Sequence, residues 1–244
     1  MNYGGVKKGL LRIGRWIRNL LLALFILSLF FVLLYKYVPV YYTPLMLVRS
    51  IEQLKKDKKI RIAHQWVPLS EISPNLTQAV VASEDNLFLI HTGFDFEQID
   101  IAQQDAAKGR RLRGASTISQ QTAKNVFLFP HRSWFRKGLE AYFTVLIEFV
   151  WGKERIMEVY LNSIETGEGI FGAQAVAKAH FNTTADRLTV PEAALIAASL
   201  PNPREFDSAH PSAYLLRRQA KIMSLMSKII PVDFEKTDKK EVEQ

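Results

Sequence analysis

The stretch Ser73-Pro74-Asn75-Leu76-Thr77-Gln78-Ala79-Val80-Val81-Ala82-Ser83-Glu84-Asp85 decides how the chain is read. Ser73 is suited to cap a helix, and Pro74 suits its first turn, where a missing N–H costs nothing. Leu76, Ala79, Val80 and Ser83 then recur at the period of one helix face. A helix is therefore predicted over residues 74–85, carrying two adjacent acids, Glu84 and Asp85, to its C-terminal end. Further helices are predicted over 94–108, 117–125, 136–151, 153–164, 172–179, 191–198 and 211–230, punctuated by Gly, Pro and Asn. Gly152 closes one of them, and Pro191-Glu192 opens another, with Glu complementing the helix dipole. Few alternating segments remain, so the fold class is mostly α. Residues 139–150 are apolar nearly all round, broken by Glu140, Thr144 and Glu148; such a helix is either the buried centre of a domain or rests on a membrane.

The chain has 244 residues, 48% hydrophobic and 23% charged. That suits one domain with an appendage and is too apolar for a disordered chain. The absence of Cys excludes disulfide scaffolds, thiolate zinc sites and Cys nucleophiles. A net charge of +8 invites a nucleic-acid or membrane partner until its location is known. Residues 1–40 carry six Lys/Arg and no acid, residues 101–140 carry eight against two, and the rest of the chain is net negative.

The first basic block belongs to a membrane anchor. Residues 20–35 are apolar except for Ser28, and the apolar character resumes after Lys36 as far as Val40, matching the ~20 residues a bilayer-spanning helix needs. Trp16, Tyr35, Tyr37, Tyr41 and Tyr42 bracket the span as interfacial aromatics do. Lys7, Lys8, Arg12, Arg15 and Arg18 precede it, so the positive-inside rule puts the N-terminus in the cytoplasm and the remainder outside. The span is long for a signal peptide and is followed by bulky Tyr41-Tyr42-Thr43-Pro44 rather than a small-residue cleavage site, which favours an uncleaved anchor. The predicted organisation is a basic cytoplasmic segment (1–19), a transmembrane helix (20–40), a juxtamembrane connection (41–72), a helical domain (73–230) and a polar tail (231–244). Within the connection, 55–59 reads as a solvated turn and 60–67 as a short strand.

Two segments of the domain carry candidate chemistry. Ser83-Glu84-Asp85 through His91-Thr92-Gly93 brings two acids and a His to a helix end and the turn after it, an arrangement that solvated terminal acids also explain. Gly114-Ala115-Ser116-Thr117 opens a helix with small hydroxyl residues, which is ordinary capping or an anion site. Around the second segment lie Lys108, Arg110, Arg111, Arg113, Lys124, Arg132, Arg136 and Lys137, opposed by Asp105 and Glu140. Outside the cytoplasm the polyanions to meet are lipid headgroups, envelope polymers and lipid-linked pyrophosphates, so phosphate recognition displaces the nucleic-acid reading.

Five segments, in order, resemble the motifs of the peptidoglycan glycosyltransferase family: 84–95, 114–125, Arg136-Lys137-Gly138-Leu139-Glu140, 153–162 and 191–198. The resemblance covers roughly residues 70–210. It is similar to the monofunctional branch, since the chain holds no Ser-x-x-Lys or Lys-Thr-Gly of a transpeptidase domain. It implies a lysozyme-like helical fold and polymerisation of lipid II into β-1,4-linked glycan strands. It also implies inversion at the anomeric carbon and release of polyprenyl diphosphate.

A sugar hydroxyl needs a base, and a departing pyrophosphate needs positive charge from Lys, Arg or a divalent cation. On the resemblance, Glu84 is the catalytic base. Lys124 and Arg132 hold the donor pyrophosphate, Ser116, Thr117, Gln121 and Asn125 line the same cleft, and Arg136 and Lys137 add phosphate contacts. Glu140 is the family's second acid, positioning the acceptor, binding a cation or orienting Lys137. Asp85 reads as a local cap, His91 as ordering the turn, Tyr160 as core, and Asn162 as a candidate for closing the cleft. No cofactor is required, with room for Mg or Mn. The implied partners are lipid II, the lipid-linked nascent strand, the inner membrane and proteins of wall synthesis or division.

Two other classes compete. A lysozyme-like hydrolase or lytic transglycosylase also uses a helix-end Glu, but cleaving a neutral glycosidic bond gains little from a strongly basic block. A non-catalytic anchored scaffold would bind anionic lipid through net charge and leave Glu84 dispensable.

Overall fold

The structure is a computed structural model that describes residues 3–56, 59–109, 114–131 and 133–234, the first eight of them as backbone only. Two compact units are present, Met1–Val38 and Pro39–Gln244. The first is helix α1 (Tyr3–Tyr37). Its stretch Leu11–Tyr37 is long and apolar enough to cross a bilayer, and its Leu, Ile and Phe side chains are largely exposed.

The second unit begins with α2 (Pro44–Lys55), in the stretch expected to be a connection. Thr43 caps it by accepting the N–H of Met46, with Pro44 in the first turn: the start signal of Ser73-Pro74 repeated thirty residues earlier. The strand expected over 60–67 reduces to β1 (Ala63–His64). Then follow α3 (Pro74–Glu84), α4 (Phe96–Ala107), α5 (Ile118–Phe127), α6 (Trp134–Ser163), β2 (Glu165–Gly167), β3 (Ile170–Phe171), α7 (Ala173–Phe181), α8 (Val190–Ser199) and α9 (Ala213–Met226). The strands form one small sheet in the order β1-β3-β2, with β1 parallel and β2 antiparallel to β3. The Gly-rich segment Gly167-Glu168-Gly169 makes the turn of the β2–β3 hairpin.

Gly152 has φ 75°, a left-handed conformation that glycine adopts without a Cβ penalty, and it divides α6 into the two helices expected on either side of it. α5 packs along α6, and α8 lies against α3 and α9. The alanine-rich α8 is buried from Ala193 to Ser199; small side chains let its neighbours approach closely. Glu192 caps α8 by accepting the N–H and hydroxyl of Thr189. The core is built on Leu76, Phe88, Ile118, Ile147, Ile156, Met157, Tyr160 and Ile196, all essentially inaccessible.

Residues 139–150 are two-faced rather than buried all round. Glu140, Thr144 and Ile147 turn inward, while Val145 and Phe149, like Trp134 and Phe135 before them, are exposed. Asn162 does not close a cleft. It is fully buried, and its side chain accepts the Val67 N–H at 3.0 Å and donates to the Val67 carbonyl at 2.9 Å, clamping the chain that leads into α3.

Candidate active site

Glu84 is the last residue of α3, and the chain turns sharply at Asp85. The Asp85 carboxylate is buried and reaches across to α5, accepting the backbone N–H of Ile118 at 2.9 Å and the Nε2–H of His91 at 2.9 Å. His91 in turn accepts the Gly93 N–H at Nδ1, so one imidazole orders the turn. Asp85 is thus a cap, as expected, but of the helix opposite rather than of its own. Thr117 completes the junction: its hydroxyl accepts the Gln120 N–H and donates to the Gly93 carbonyl, while the Gln120 side chain accepts the Thr117 N–H. Gly93 has φ 93°, and a Cβ there would lie 2.8 Å from Thr144 and 2.9 Å from Glu148, so a larger residue would strain the backbone and displace both side chains.

This junction brings the α5 face of Gln121 and Lys124 to the end of α3. Gln121 donates from Nε2 to Glu84 at 3.0 Å. Glu84 is half-buried beside a cavity of about 200 Å³ lined by Ser83, Asp95, Ser116 and Thr117, with Leu225 and Ile229 from the C-terminal end of the chain. Burial raises the Glu84 pKa above the ordinary carboxylate range. The Gln121 hydrogen bond and the charges of Arg218 and Lys124 pull it back, and Asp85 adds to the rise. A carboxylate held this way is a stronger proton acceptor than a solvated one.

A second cavity, of about 340 Å³, is lined by Lys124, Asn125, Leu128, His131 and Arg136 together with Leu45 and Arg49 of α2. Burial lowers the Lys124 pKa, opposed by Glu140 and Glu84 and reinforced by Arg136 and Lys137. Glu140 is buried and gives one carboxylate oxygen to Arg136, at 2.8 Å, and the other to Lys137. Lys124, Arg136 and Lys137 outnumber the carboxylates that act on them, Glu140 and Glu84, so the cluster keeps a local excess of positive charge that complements an anion. Glu140 itself lines neither cavity. With both its oxygens on cations it offers no open ligand pair for Mg or Mn, and among the described residues no group of three His, Asp or Glu side chains is placed to hold a metal.

Of the expected site residues, Glu84 and Gln121 are directly bonded, and Ser116 and Thr117 line the Glu84 cavity, Thr117 buried as a cap. Lys124, Asn125 and Arg136 share the second cavity, with Lys137 joined to them through Glu140. Arg132 lies outside the described residues, as do Arg110, Arg111 and Arg113. Sequence reasoning missed Arg49, which lines the second cavity while gripping Glu165 bidentately at 2.8 and 3.0 Å and Glu52 at 2.9 Å; the Thr43-Pro44 cap was the signal for its helix. It also missed the buried pair behind the site. Lys153, over the ring of Phe88, donates to the His91 carbonyl and pairs with Glu148 at 2.7 Å, and Glu148 accepts the Ser119 hydroxyl.

The family described as Transglycosylase matches residues 50–227. Among curated proteins, the chain is 57% identical over 233 residues to a biosynthetic peptidoglycan transglycosylase of Bacteroides thetaiotaomicron, covering 94% of each chain. It is 50% identical to proteins of the same description from Bdellovibrio bacteriovorus, over 89% of this chain and 87% of that one, and from Caulobacter vibrioides, over 85% and 90%.

Proposed function

Because this chain belongs to the transglycosylase family, with its helical, lysozyme-like fold, and is a peptidoglycan glycosyltransferase, we propose that it polymerises lipid II with Glu84 as the base. The observation that carries this reading is the juxtaposition, through Asp85 and the α5 cap, of one carboxylate with raised proton affinity and a cluster of cations in excess. Glu84 takes the proton from the acceptor's 4-hydroxyl as the oxygen bonds to the donor's anomeric carbon. The carbon–oxygen bond to the pyrophosphate breaks on the opposite face, with inversion. Polyprenyl diphosphate leaves with the bonding electrons, its charge held by Lys124, Arg136 and Lys137, with Arg132 assigned to the same task from the sequence alone. Glu140 is assigned a supporting role, holding Arg136 and Lys137 in place.

The apolar helix α1 supports a membrane anchor. We assign it a single pass through the inner membrane with the basic N-terminus in the cytoplasm and the catalytic domain outside, where lipid-linked donors are presented. The exposed Trp134, Phe135 and Phe149 of α6 fit a domain that works beside lipid. A glycan hydrolase is not favoured. The relatives are described as peptidoglycan transglycosylases, and the cations Lys124, Arg136 and Lys137 would add little to the cleavage of a neutral glycosidic bond.

The deciding experiment incubates purified full-length protein and its Glu84→Gln variant with labelled lipid II, with and without chelator. Elongation by the wild type alone, unaffected by chelator, is the expected result. Failure of the wild type to elongate, or full turnover by Glu84→Gln, overturns the assignment.

A further inference from the structure

Tyr160 belongs to the apolar stripe of α6 and is completely buried, yet its hydroxyl comes to the back of the site. A buried phenol needs a hydrogen-bond partner, and the acceptor it reaches is Oε1 of Gln121, at 3.4 Å. The other end of the same amide, Nε2, donates to Glu84 at 3.0 Å. We infer that Tyr160 is a positioning residue: by donating to Gln121 Oε1 it fixes the amide with its N–H groups on Glu84, the orientation that suits an ionised base. The inference rests on the reading of Glu84 as base and names what holds that base ready.

An amide has two orientations related by a half-turn of its terminal group. With Nε2 on Glu84, a carboxylate is stabilised and a protonated carboxyl is not. With Oε1 on Glu84 the preference reverses, because a carboxylate meets an acceptor while a protonated carboxyl donates to it. A phenol donor on the far side favours the first orientation, since Oε1 is then its acceptor. Burial and the nearby charges of Glu84 and Asp85 push the Tyr160 pKa well up, so the hydroxyl keeps its proton wherever Glu84 titrates. The charged and titratable groups around Glu84 are Asp85 directly after α3, Asp95 at the start of α4 across the cavity, Lys124 on α5, Tyr160 on α6 and Arg218 on α9. Of these Tyr160 alone acts through the Gln121 amide.

Tyr160→Phe removes the oxygen and leaves the ring. In full-length protein carrying ¹³C-labelled glutamate, with the Glu84 signal identified by its loss in Glu84→Gln, the Glu84 titration midpoint is expected to rise by about half to one pH unit. The acid limb of the polymerisation rate should move with it, while rates at high pH change less. A midpoint coincident with wild type, whatever the rate, overturns the proposal. So does an equal shift in Ile156→Val, which trims the same buried face without touching the amide. Should Tyr160→Phe not fold, 3-fluorotyrosine at position 160 keeps the shape and strengthens the donor. The midpoint is then expected to fall, and an unchanged midpoint overturns the inference. The carboxyl titration is read whether or not the protein polymerises, so its failure indicts Tyr160, whereas absent polymerisation by the wild type indicts the proposed function.

Discussion

The Asp85 carboxylate accepts the backbone N–H of Ile118, the first residue of α5, at 2.9 Å, although 33 residues separate the two. That bond joins the end of the helix carrying Glu84 to the start of the helix carrying Gln121 and Lys124. A base and a cation needed on opposite sides of one reacting centre are thereby held on a shared rigid corner.

Asp85→Ala strands the Ile118 N–H and the His91 ring together. The expected loss is about 1–3 kcal/mol of stability for the unsatisfied donors, with polymerisation falling further than stability accounts for, because Glu84 and Lys124 lose their common frame. Thermal unfolding and a lipid II assay on the same preparation separate the two effects; wild-type values in both would refute the role of the corner.

Glu84→Gln is expected to lower polymerisation by roughly 10²–10⁴-fold, the range for losing a positioned base. The fold should not suffer. Because burial raises the Glu84 pKa in the folded state, the ionised group opposes folding at pH values above its unfolded titration. That cost fades at acid pH, where the carboxyl is protonated in both states. The variant should therefore melt above wild type near neutrality, with the difference shrinking as pH falls, as a series of thermal scans from pH 8 to pH 4 would reveal.

Lys124→Ala removes the cation that lines the second cavity and also acts on Glu84. A decrease of roughly tenfold to a hundredfold in kcat/KM is expected from a charged contact, with donor binding weakened alongside. Lys137→Ala should cost less, since Lys137 is 44% exposed and screened. Equal effects of the two substitutions would contradict this ordering.

Lys153→Met leaves Glu148 buried without its cation, 8% and 10% of the two side chains being exposed. Breaking a buried pair at one end costs about 3–5 kcal/mol, measurable by denaturant titration. The double variant Lys153→Met/Glu148→Leu should recover part of that loss, because no uncompensated charge remains. A double variant no more stable than the single would show that the pair's hydrogen bonds to His91 and Ser119, rather than charge balance, dominate.

The order of residues alone dictates the helical class and the break at Gly152. It also dictates the apolar length of α1, the cap-and-proline start of α3, and the order of the segments bearing Glu84, Lys124 and Glu140, since all of these follow from local periodicity and local backbone preference. Helix α2 was equally legible at Thr43-Pro44, where a capping hydroxyl precedes a first-turn proline. What lay beyond reach is non-local. That Asp85 caps α5 rather than α3, that Asn162 clamps Val67, that Glu140 divides itself between Arg136 and Lys137, and that Tyr160 spends its hydroxyl on Gln121 each depend on which atoms meet after the helices pack. Buried polar groups must find partners, and only the tertiary arrangement decides which partners are within reach.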